Sequence, residues 1–236
     1  MSGVEEPGTD PGRQPALLFD LDGTLVDSVY QHVLAWSAAL EAAGIDLSVW
    51  RIHRRIGMSG GLFVNALSRE TGRELTTNEV RSLQEAHSRQ FLARQDEVRP
   101  LRGARDLLKH LSETGIPWAI ATSGSQRTAG PALKMLEIPE GTVVVTRDQV
   151  PFAKPDPHLF LKAAELLKVD AVNSIVVGDS VWDMLAAQRA RALGVGLMSG
   201  GYGREELERA GAFRVYEDPL DLRDHLDELG IRIRKS

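Results

Sequence analysis

The fold is decided by a stretch near the start of the chain, residues 16–27, which reads ALLFDLDGTLVD. Its first four residues are apolar and Asp20 ends them, a pattern typical of a buried strand that leads into a loop. Residues two apart in an extended chain project to the same side, so Asp20 and Asp22 can face one site. Two carboxylates that close together require a cation or a shared proton. Taken alone, the pair is also compatible with a solvated turn.

Four more short apolar runs follow along the chain, at 118–121, 143–146, 174–178 and 194–198. Helical periodicity occupies much of the sequence between them, including 104–111, 129–136, 158–167 and 181–193. Strands that alternate with helices predict βαβ crossovers and a mostly parallel sheet covered by helices on both faces. The fold class predicted is therefore α/β.

One long segment, residues 29–98, interrupts this alternation because it has helical periodicity and no convincing buried strand. A helical stretch of roughly 70 residues between two strands exceeds an ordinary crossover, so we expect an inserted α-helical cap at the ligand end of the sheet. The core is then predicted to comprise residues 15–28 and 99–236. Residues 1–14, rich in glycine and proline, are predicted to be a disordered lead-in.

Composition narrows the class of protein further. The 28 Lys and Arg residues against 33 Asp and Glu give a formal net charge of −5, and the only basic cluster is a short C-terminal tail, so no nucleic-acid partner is expected. No apolar run approaches the roughly 18 to 20 residues of a membrane span, and the N-terminus does not resemble a signal peptide. We therefore expect a cytoplasmic protein without a membrane partner, and a monomer.

The absence of cysteine restricts the chemistry that is available. Disulfides, thiolate metal sites and Cys nucleophiles are excluded, which leaves carboxylate and imidazole ligands for any metal. A hard cation is therefore favoured.

Polar residues follow two of the later apolar runs. Thr122 and Ser123 lie just ahead of a predicted helix, where hydroxyls and open backbone amides suit an anion, although they could simply cap that helix. Lys154 stands in the segment AKPDP, beside two prolines that make the approach to a helix rigid; the alternative is a surface lysine. Both positions lie at the edge of the sheet where Asp20 is expected.

Two further carboxylates, Asp179 and Asp183, follow the apolar run at 174–178. A helix N-cap and a solvated helical carboxylate are their alternative roles. Ligand sites in parallel sheets form outside the carboxyl ends of the strands, which is where all these side chains are expected. Carboxylates, hydroxyls, one ammonium group and a hard cation together suit in-line transfer of a phosphoryl group.

The four segments that carry these residues, taken in order, resemble the four motifs of the haloacid dehalogenase (HAD) superfamily. They read DLDGTLVDS from residue 20, ATSG from 121, AKPDP from 153 and GDSVWD from 178. The insert lies between the first and second motifs, as in members of the phosphoglycolate phosphatase and β-phosphoglucomutase type. The resemblance implies a Rossmann-like core with an α-helical cap, and a Mg²⁺-dependent phosphatase acting on a small phosphorylated metabolite such as phosphoglycolate or a sugar phosphate.

The resemblance also implies a role for each motif residue. Asp20 would be the nucleophile that forms an aspartyl-phosphate, and Asp22 the general acid and then the base for water. Mg²⁺ would bind the Asp20 carboxylate, the Asp22 backbone carbonyl and Asp179, and would offset charge repulsion together with Lys154. Asp183 would hold a metal-bound water or orient Lys154.

The phosphoryl oxygens would be bound by Thr122 and by the Ser123 amide. In the cap, Arg55 is the candidate for a substrate anion, with a solvated helix end as its alternative role. Gly57 is expected to leave backbone amides accessible in a mobile loop that faces the site.

Asp22 argues against two other branches of the family, because its dehalogenases lack an acid at this position and its transport ATPases carry Thr there. A phosphatase or a mutase remains. The second hypothesis is a phosphohexose mutase of the β-phosphoglucomutase type. Its support is His32, which lies in a segment that resembles the mutase segment whose histidine couples cap closure to acid/base positioning. The alternative role of His32 is that of a packed helix residue. Against the mutase, Gly60 stands where mutases carry an Arg for the second phosphate. A non-catalytic binding module on the same fold is the third hypothesis, which the intact motifs disfavour.

Overall fold

The computed structural model describes residues 15–231 of the chain. The lead-in predicted for residues 1–14 and the basic tail from residue 232 lie outside the described residues. In chain order the strands are β1 (Ala16–Phe19), β2 (Val26–Asp27), β3 (Arg99–Pro100), β4 (Trp118–Ala121), β5 (Val144–Val145), β6 (Ser174–Gly178), β7 (Leu193–Leu197) and β8 (Ala212–Tyr216). The α-helices are α1 (Val29–Ala42), α2 (Val49–His53), α3 (Gly60–Thr71), α4 (Thr77–Leu92), α5 (Ala104–Glu113), α6 (Gln126–Met135), α7 (His158–Leu167), α8 (Val181–Ala190), α9 (Arg204–Arg209) and α10 (Pro219–Asp224).

Six of these strands form one parallel sheet in the order β5-β4-β1-β6-β7-β8. The first apolar run of the sequence is its central strand: Leu18 of β1 pairs with Ala119 of β4 on one side and with Val176 of β6 on the other. Successive residues of β1 face opposite sides, so Leu17 and Phe19 belong to one hydrophobic cluster and Leu18 to another. Helices therefore cover both faces of the sheet, and the predicted α/β class is confirmed.

The five predicted strands are all present, with ends that differ by one residue at most from the apolar runs. Sequence analysis missed β8, the edge strand. Its burial explains why: Phe213 and Arg214 are exposed and only Val215 and Tyr216 are buried, so the segment lacks a continuous apolar run.

The inserted helices α1 to α4 pack on one another and have a hydrophobic cluster of their own, which includes Val33, Trp36, Leu40, Ile52, Phe63 and Leu67. Two helices of this segment, α3 and α4, have local signals for their ends. Thr76 and Glu79 form a reciprocal capping box at the start of α4. Gly72 ends α3 with a φ of +66°, a conformation that glycine adopts without strain. The inserted α-helical segment is confirmed, and its exact domain boundaries stay a prediction.

The two chain segments that join the helices to the sheet pair with each other. Strand β2 lies antiparallel to β3, with Val26 opposite Pro100 and Asp27 opposite Arg99. This short ladder lies next to the end of β1, so it fixes the place where the helical segment leaves and re-enters the core. Among the helices of residues 15–231, none combines the length and apolar character that spanning a bilayer requires.

Candidate active site

The site lies where three central strands end. Asp20 follows β1, Thr122 follows β4 and Asp179 follows β6, and these strands are neighbours in the sheet. Since all three strands run in parallel, their carboxyl ends share one edge and the polar side chains converge there. The first of them is fixed by a backbone hydrogen bond, in which the Asp20 amide donates to the Val177 carbonyl over 2.8 Å.

A fully buried lysine lies among the carboxylates. Lys154 Nζ contacts Asp20 Oδ1 and lies 2.8 Å from Asp183 Oδ1. Burial alone would lower the pKa of Lys154, but the two carboxylates outweigh burial and raise it. The ammonium group is therefore retained inside the protein, and the alternative of a surface lysine is excluded.

Three buried carboxylates form a compact cluster. One oxygen each from Asp20, Asp179 and Asp183 lies within 4.8 Å of the others. Thr24 Oγ1 donates to Asp179 Oδ1 over 3.1 Å, and the Ser180 hydroxyl donates to Asp183 Oδ2 over 2.5 Å. These hydrogen bonds fix the orientation of the oxygens.

The charges of this cluster do not balance. Burial, followed by repulsion from neighbouring carboxylates, raises the pKa of both Asp20 and Asp179 despite the attraction of Lys154. Three acids against one ammonium group leave excess negative charge in a dry site, where unpaired charge is costly. A hard divalent cation with oxygen ligands fits this donor set.

Asp22 has a different environment. Its side chain is not part of the three-carboxylate cluster; it accepts a hydrogen bond from Ser28 Oγ over 2.6 Å, and its Oδ1 lies 3.2 Å from His32 Nε2. Burial favours a higher pKa for Asp22, but His32 and Ser28 outweigh burial and lower its pKa. Two carboxylates two residues apart thus have pKa values shifted in opposite directions, which is the arrangement expected when they perform different proton tasks.

A cavity of about 470 Å³ opens above these residues, between the sheet edge and the inserted helices. The predicted site residues that line it are Asp20, Asp22, His32, Arg55, Gly57, Thr122 and Ser123. Lys154, Asp179 and Asp183 are buried beneath it. The structure therefore brings all the predicted residues to one region, in two layers.

The loop between α2 and α3 packs directly onto the site. Ser123 Oγ donates to the Gly57 carbonyl over 2.9 Å, and the Ser59 amide donates to the Lys154 carbonyl over 3.2 Å. Gly57 has a φ of +95°, and a Cβ there would lie 2.7 Å from Ser180 Oγ. We expected Gly57 to give the loop freedom; here its missing side chain permits a close contact with the core.

Arg55 lines the cavity, as expected for a residue that binds a substrate anion. Its guanidinium group pairs with Glu70 and donates to the Arg51 carbonyl over 2.6 Å. Glu70 also pairs with Arg51, so one carboxylate is shared by two guanidinium groups, and the role of Arg55 stays a prediction.

Sequence analysis missed His87, which lies next to His32. His87 Nε2 lies 3.0 Å from His32 Nδ1. The His32 ring stacks on Phe91, and the His87 ring stacks on Trp36. Burial, followed by repulsion from His32, lowers the pKa of His87 well below its usual value. His32 thus combines the two roles considered for it, because it packs within the helices and also contacts Asp22.

A parallel sheet with a buried lysine and carboxylates at its strand ends is an arrangement that can support hydrolysis. The haloacid dehalogenase-like hydrolase family matches residues 15–191, and the chain belongs to this family. A hydrolase from Pseudomonas syringae with a known crystal structure is 52% identical, with a TM-score of 0.90, and the match covers 92% of this chain and 99% of that one.

Two curated relatives are named as phosphatases. Hexitol phosphatase A of Escherichia coli (strain K12) is 32% identical over 180 residues, which are 75% of this chain and 80% of the relative. Phosphoglycolate phosphatase of Neisseria meningitidis serogroup A is 34% identical over 195 residues, which are 80% of this chain and 81% of the relative. The predicted family, fold and enzyme class, a HAD-type phosphatase, are confirmed, and the hypothesis of a non-catalytic module is set aside.

Proposed function

We propose that the protein is a Mg²⁺-dependent phosphatase that hydrolyses a small phosphomonoester, of the phosphoglycolate or sugar phosphate type, through an aspartyl-phosphate. The observation that carries this proposal is the pair Asp20 and Asp22. Asp20 faces the cavity and contacts Lys154, whereas Asp22 is held apart by Ser28 and His32.

Asp20 is the proposed nucleophile. Its attack brings a carboxylate against a phosphate dianion, and Lys154 reduces the repulsion between them. Asp20 and Asp179, with the Asp22 carbonyl, would hold Mg²⁺, which supplies charge neutralisation when bound. Asp183, through its contact with Lys154, holds the ammonium group towards Asp20.

Asp22 is the proposed acid and base. The lowered pKa of Asp22 favours its ionised form when the cavity holds no substrate, and this is the form that removes a proton from water in the second step. A phosphate dianion beside Asp22 would oppose the effect of His32 and raise the pKa of Asp22, as proton donation to the leaving group in the first step requires.

Thr122 and Ser123 are the proposed ligands of the phosphoryl oxygens. Thr122 Oγ1 accepts a hydrogen bond from the Gly124 amide over 2.9 Å, which leaves its O–H group able to donate. The Ser123 hydroxyl is occupied by Gly57, whereas its amide makes no hydrogen bond within residues 15–231. The amide is therefore the group of Ser123 that is available to a phosphate.

Residues 29–98 are the proposed cap, on a core of 15–28 and 99–236. Two features support this division: the helical segment has its own hydrophobic cluster, and paired strands join it to the core. The hydrogen bond from Ser123 Oγ to the Gly57 carbonyl supports a cap that packs against the site.

Phosphate release from a panel of phosphorylated metabolites with Mg²⁺ tests the proposal. A hydrolase releases phosphate from at least one class of compound. Gly60 lines the cavity where a mutase would need a cationic side chain, so we expect no conversion of β-glucose 1-phosphate to the 6-phosphate when a bisphosphate primer is added. Such conversion without phosphate release would favour the mutase instead.

Mg²⁺ is expected to raise the melting temperature more at neutral than at acidic pH. The pKa of Asp20 is raised from 3.8 to about 7, and the pKa of Asp179 is also raised. A carboxyl group whose pKa is raised by folding stabilises the protein at low pH, and this stabilisation is lost as the pH rises through the pKa of the folded state. The metal-free site therefore becomes destabilising near neutral pH. Mg²⁺ binds the ionised carboxylates and reverses this loss.

At roughly 100 times its Kd, Mg²⁺ would contribute about 2.7 kcal/mol, or about 5 to 10 °C in Tm for a chain of this size. Melts with EDTA and with Mg²⁺, at about pH 5 and about pH 8, measure the effect. The Asp179→Asn variant should lose most of it. An equal shift at both pH values, or none, would contradict a metal site at these carboxylates.

Substitution of Gly200 by Ala is expected to weaken Mg²⁺ binding by about tenfold or more, because it disturbs the support of a ligand. A Cβ on Gly200 would lie 1.7 Å from Asp179 Oδ2, so the carboxylate must move. Isothermal titration with Mg²⁺ measures the affinity. Gly203→Ala is the matched control, since the nearest atom to its Cβ is 3.6 Å away; equal affinities in the two variants would show that Asp179 is not a ligand.

A further inference from the structure

The cavity above the site is lined by more arginines than one phosphate group requires. Its wall includes the arginines Arg55, Arg81, Arg127 and Arg147. Outside the pair Asp20 and Asp22, its acidic lining residues are Glu85 and Asp148. Outside that pair, arginines therefore outnumber acids among the lining residues.

Two of these arginines are already engaged. Arg55 pairs with Glu70, and Arg147 Nη1 donates to the Val150 carbonyl over 2.7 Å. Asp148 is also engaged, because it accepts a hydrogen bond from the Gln126 amide over 2.7 Å at the start of α6.

Arg81 and Arg127 are different. In the part of the chain that the structure describes, neither guanidinium group makes a hydrogen bond or an ion pair. Glu85 lies one turn from Arg81 on α4 but does not pair with it. Two cations that line one cavity without an internal counter-charge are free to bind an anion from solution.

The two arginines approach the cavity from opposite walls. Arg81 belongs to α4 of the proposed cap and Arg127 to α6 of the core, and these helices pack against each other. The same face of α4 carries Gln84 and Ser88, at helical spacing from Arg81, and all three line the cavity.

Helix α4 also sets the distance of Arg81 from the phosphate site. His87 lies near one end of this helix and contacts His32 beside Asp22. Arg81 lies six residues earlier, which is about 9 Å along the helix axis. Arg81 is therefore displaced along α4 from the histidines beside Asp22, whereas Arg127 lies in the first turn of α6, shortly after Ser123. A substrate that reaches Arg81 from the site of phosphoryl transfer has several bonds between its two ends.

We propose that Arg81 and Arg127 bind a second anionic group, a carboxylate or a phosphate, at the far end of the substrate. This inference rests on the proposed phosphatase function. The planar guanidinium fork matches both anions and holds them by paired, charge-assisted hydrogen bonds. The substrate class is then a phosphorylated sugar acid or a sugar bisphosphate, in preference to a neutral sugar or polyol phosphate.

Matched substrates test the proposal. The compounds 6-phosphogluconate and sorbitol 6-phosphate differ only in a carboxylate against a hydroxymethyl group at the far end, and glucose 1,6-bisphosphate is compared in the same way with glucose 6-phosphate. We expect kcat/KM for the anionic member of at least one pair to be higher by about tenfold or more. The first pair detects a carboxylate as the second anion, and the second pair detects a phosphate.

The double variant Arg81→Gln/Arg127→Gln should bring that ratio of kcat/KM values close to one. Arg89→Gln is the matched control, because Arg89 is an exposed arginine on the same helix that does not line this cavity, and its ratio should equal that of the wild type. A wild-type enzyme with no preference for either anionic member, or a preference that survives in the double variant, overturns the proposal.

The failure of this inference is distinguishable from the failure of the proposed function. The artificial substrate p-nitrophenyl phosphate has no second anion and reports phosphatase activity alone. If the enzyme hydrolyses p-nitrophenyl phosphate but its kcat/KM values show no preference for the anionic member of either pair, only the role of the arginines is overturned. No phosphate release from p-nitrophenyl phosphate, from the four sugar compounds or from any member of the metabolite panel overturns the phosphatase itself.

Discussion

Replacement of Asp20 by Asn is expected to lower phosphate release by about 10⁴-fold or more, because a catalytic unit that loses its nucleophile retains little activity. The amide has the same shape as the carboxylate, but its oxygen and nitrogen are poor nucleophiles. Lys154 and Asp183 remain in contact over 2.8 Å, so the rest of the site is preserved. Initial rates of phosphate release with saturating Mg²⁺ measure the effect.

A melting experiment separates this loss of activity from misfolding. The raised pKa of Asp20 shows that its charge is unfavourable in the metal-free fold, so the neutral Asn should leave the metal-free Tm equal to or above that of the wild type. Asp27→Asn is the matched control: Asp27 is an exposed acid of the same motif, and its removal should change neither Tm nor activity appreciably. Activity of Asp20→Asn near the wild-type level would exclude Asp20 as the nucleophile.

The sheet could be predicted from the sequence because its central strands are buried on both faces. Strands β1, β4 and β6 are continuous apolar runs for this reason, and their ends match the sequence pattern. Strand β8 is buried only at its last two residues, Val215 and Tyr216, and the exposed Arg214 within it makes the segment resemble a loop. Burial, rather than strand propensity, decides which strands a sequence pattern reveals.

The residues at the strand ends were predictable for a related reason. Parallel strands place Asp20 and Asp179 at one edge of the sheet, wherever the two residues lie in the chain. The contacts made within the helical segment were not predictable. His87 lies 55 residues from His32, and the pairing of Arg55 with Glu70 joins the loop before α3 to α3 itself. Sequence periodicity shows that a helix has an apolar face but does not show which neighbour that face meets.

Replacement of Asp22 by Asn is expected to slow turnover by about 10² to 10⁴-fold while substrate binding changes little, because only proton transfer is lost. The loss should fall on kcat rather than on KM. Ser28 can still donate to the amide oxygen, so the local packing is retained.

The two steps of the proposed reaction should respond differently to the loss of Asp22. Departure of p-nitrophenolate needs no proton, so the first step with p-nitrophenyl phosphate remains fast in Asp22→Asn. Attack of water on the aspartyl-phosphate still needs a base, so the intermediate accumulates. Rapid mixing should therefore show a burst of about one p-nitrophenolate per enzyme, followed by slow turnover. Asp20→Asn should show no burst, because no aspartyl-phosphate can form. A slow, burst-free reaction of Asp22→Asn would place Asp22 in the first step only, and wild-type turnover would exclude it as the base.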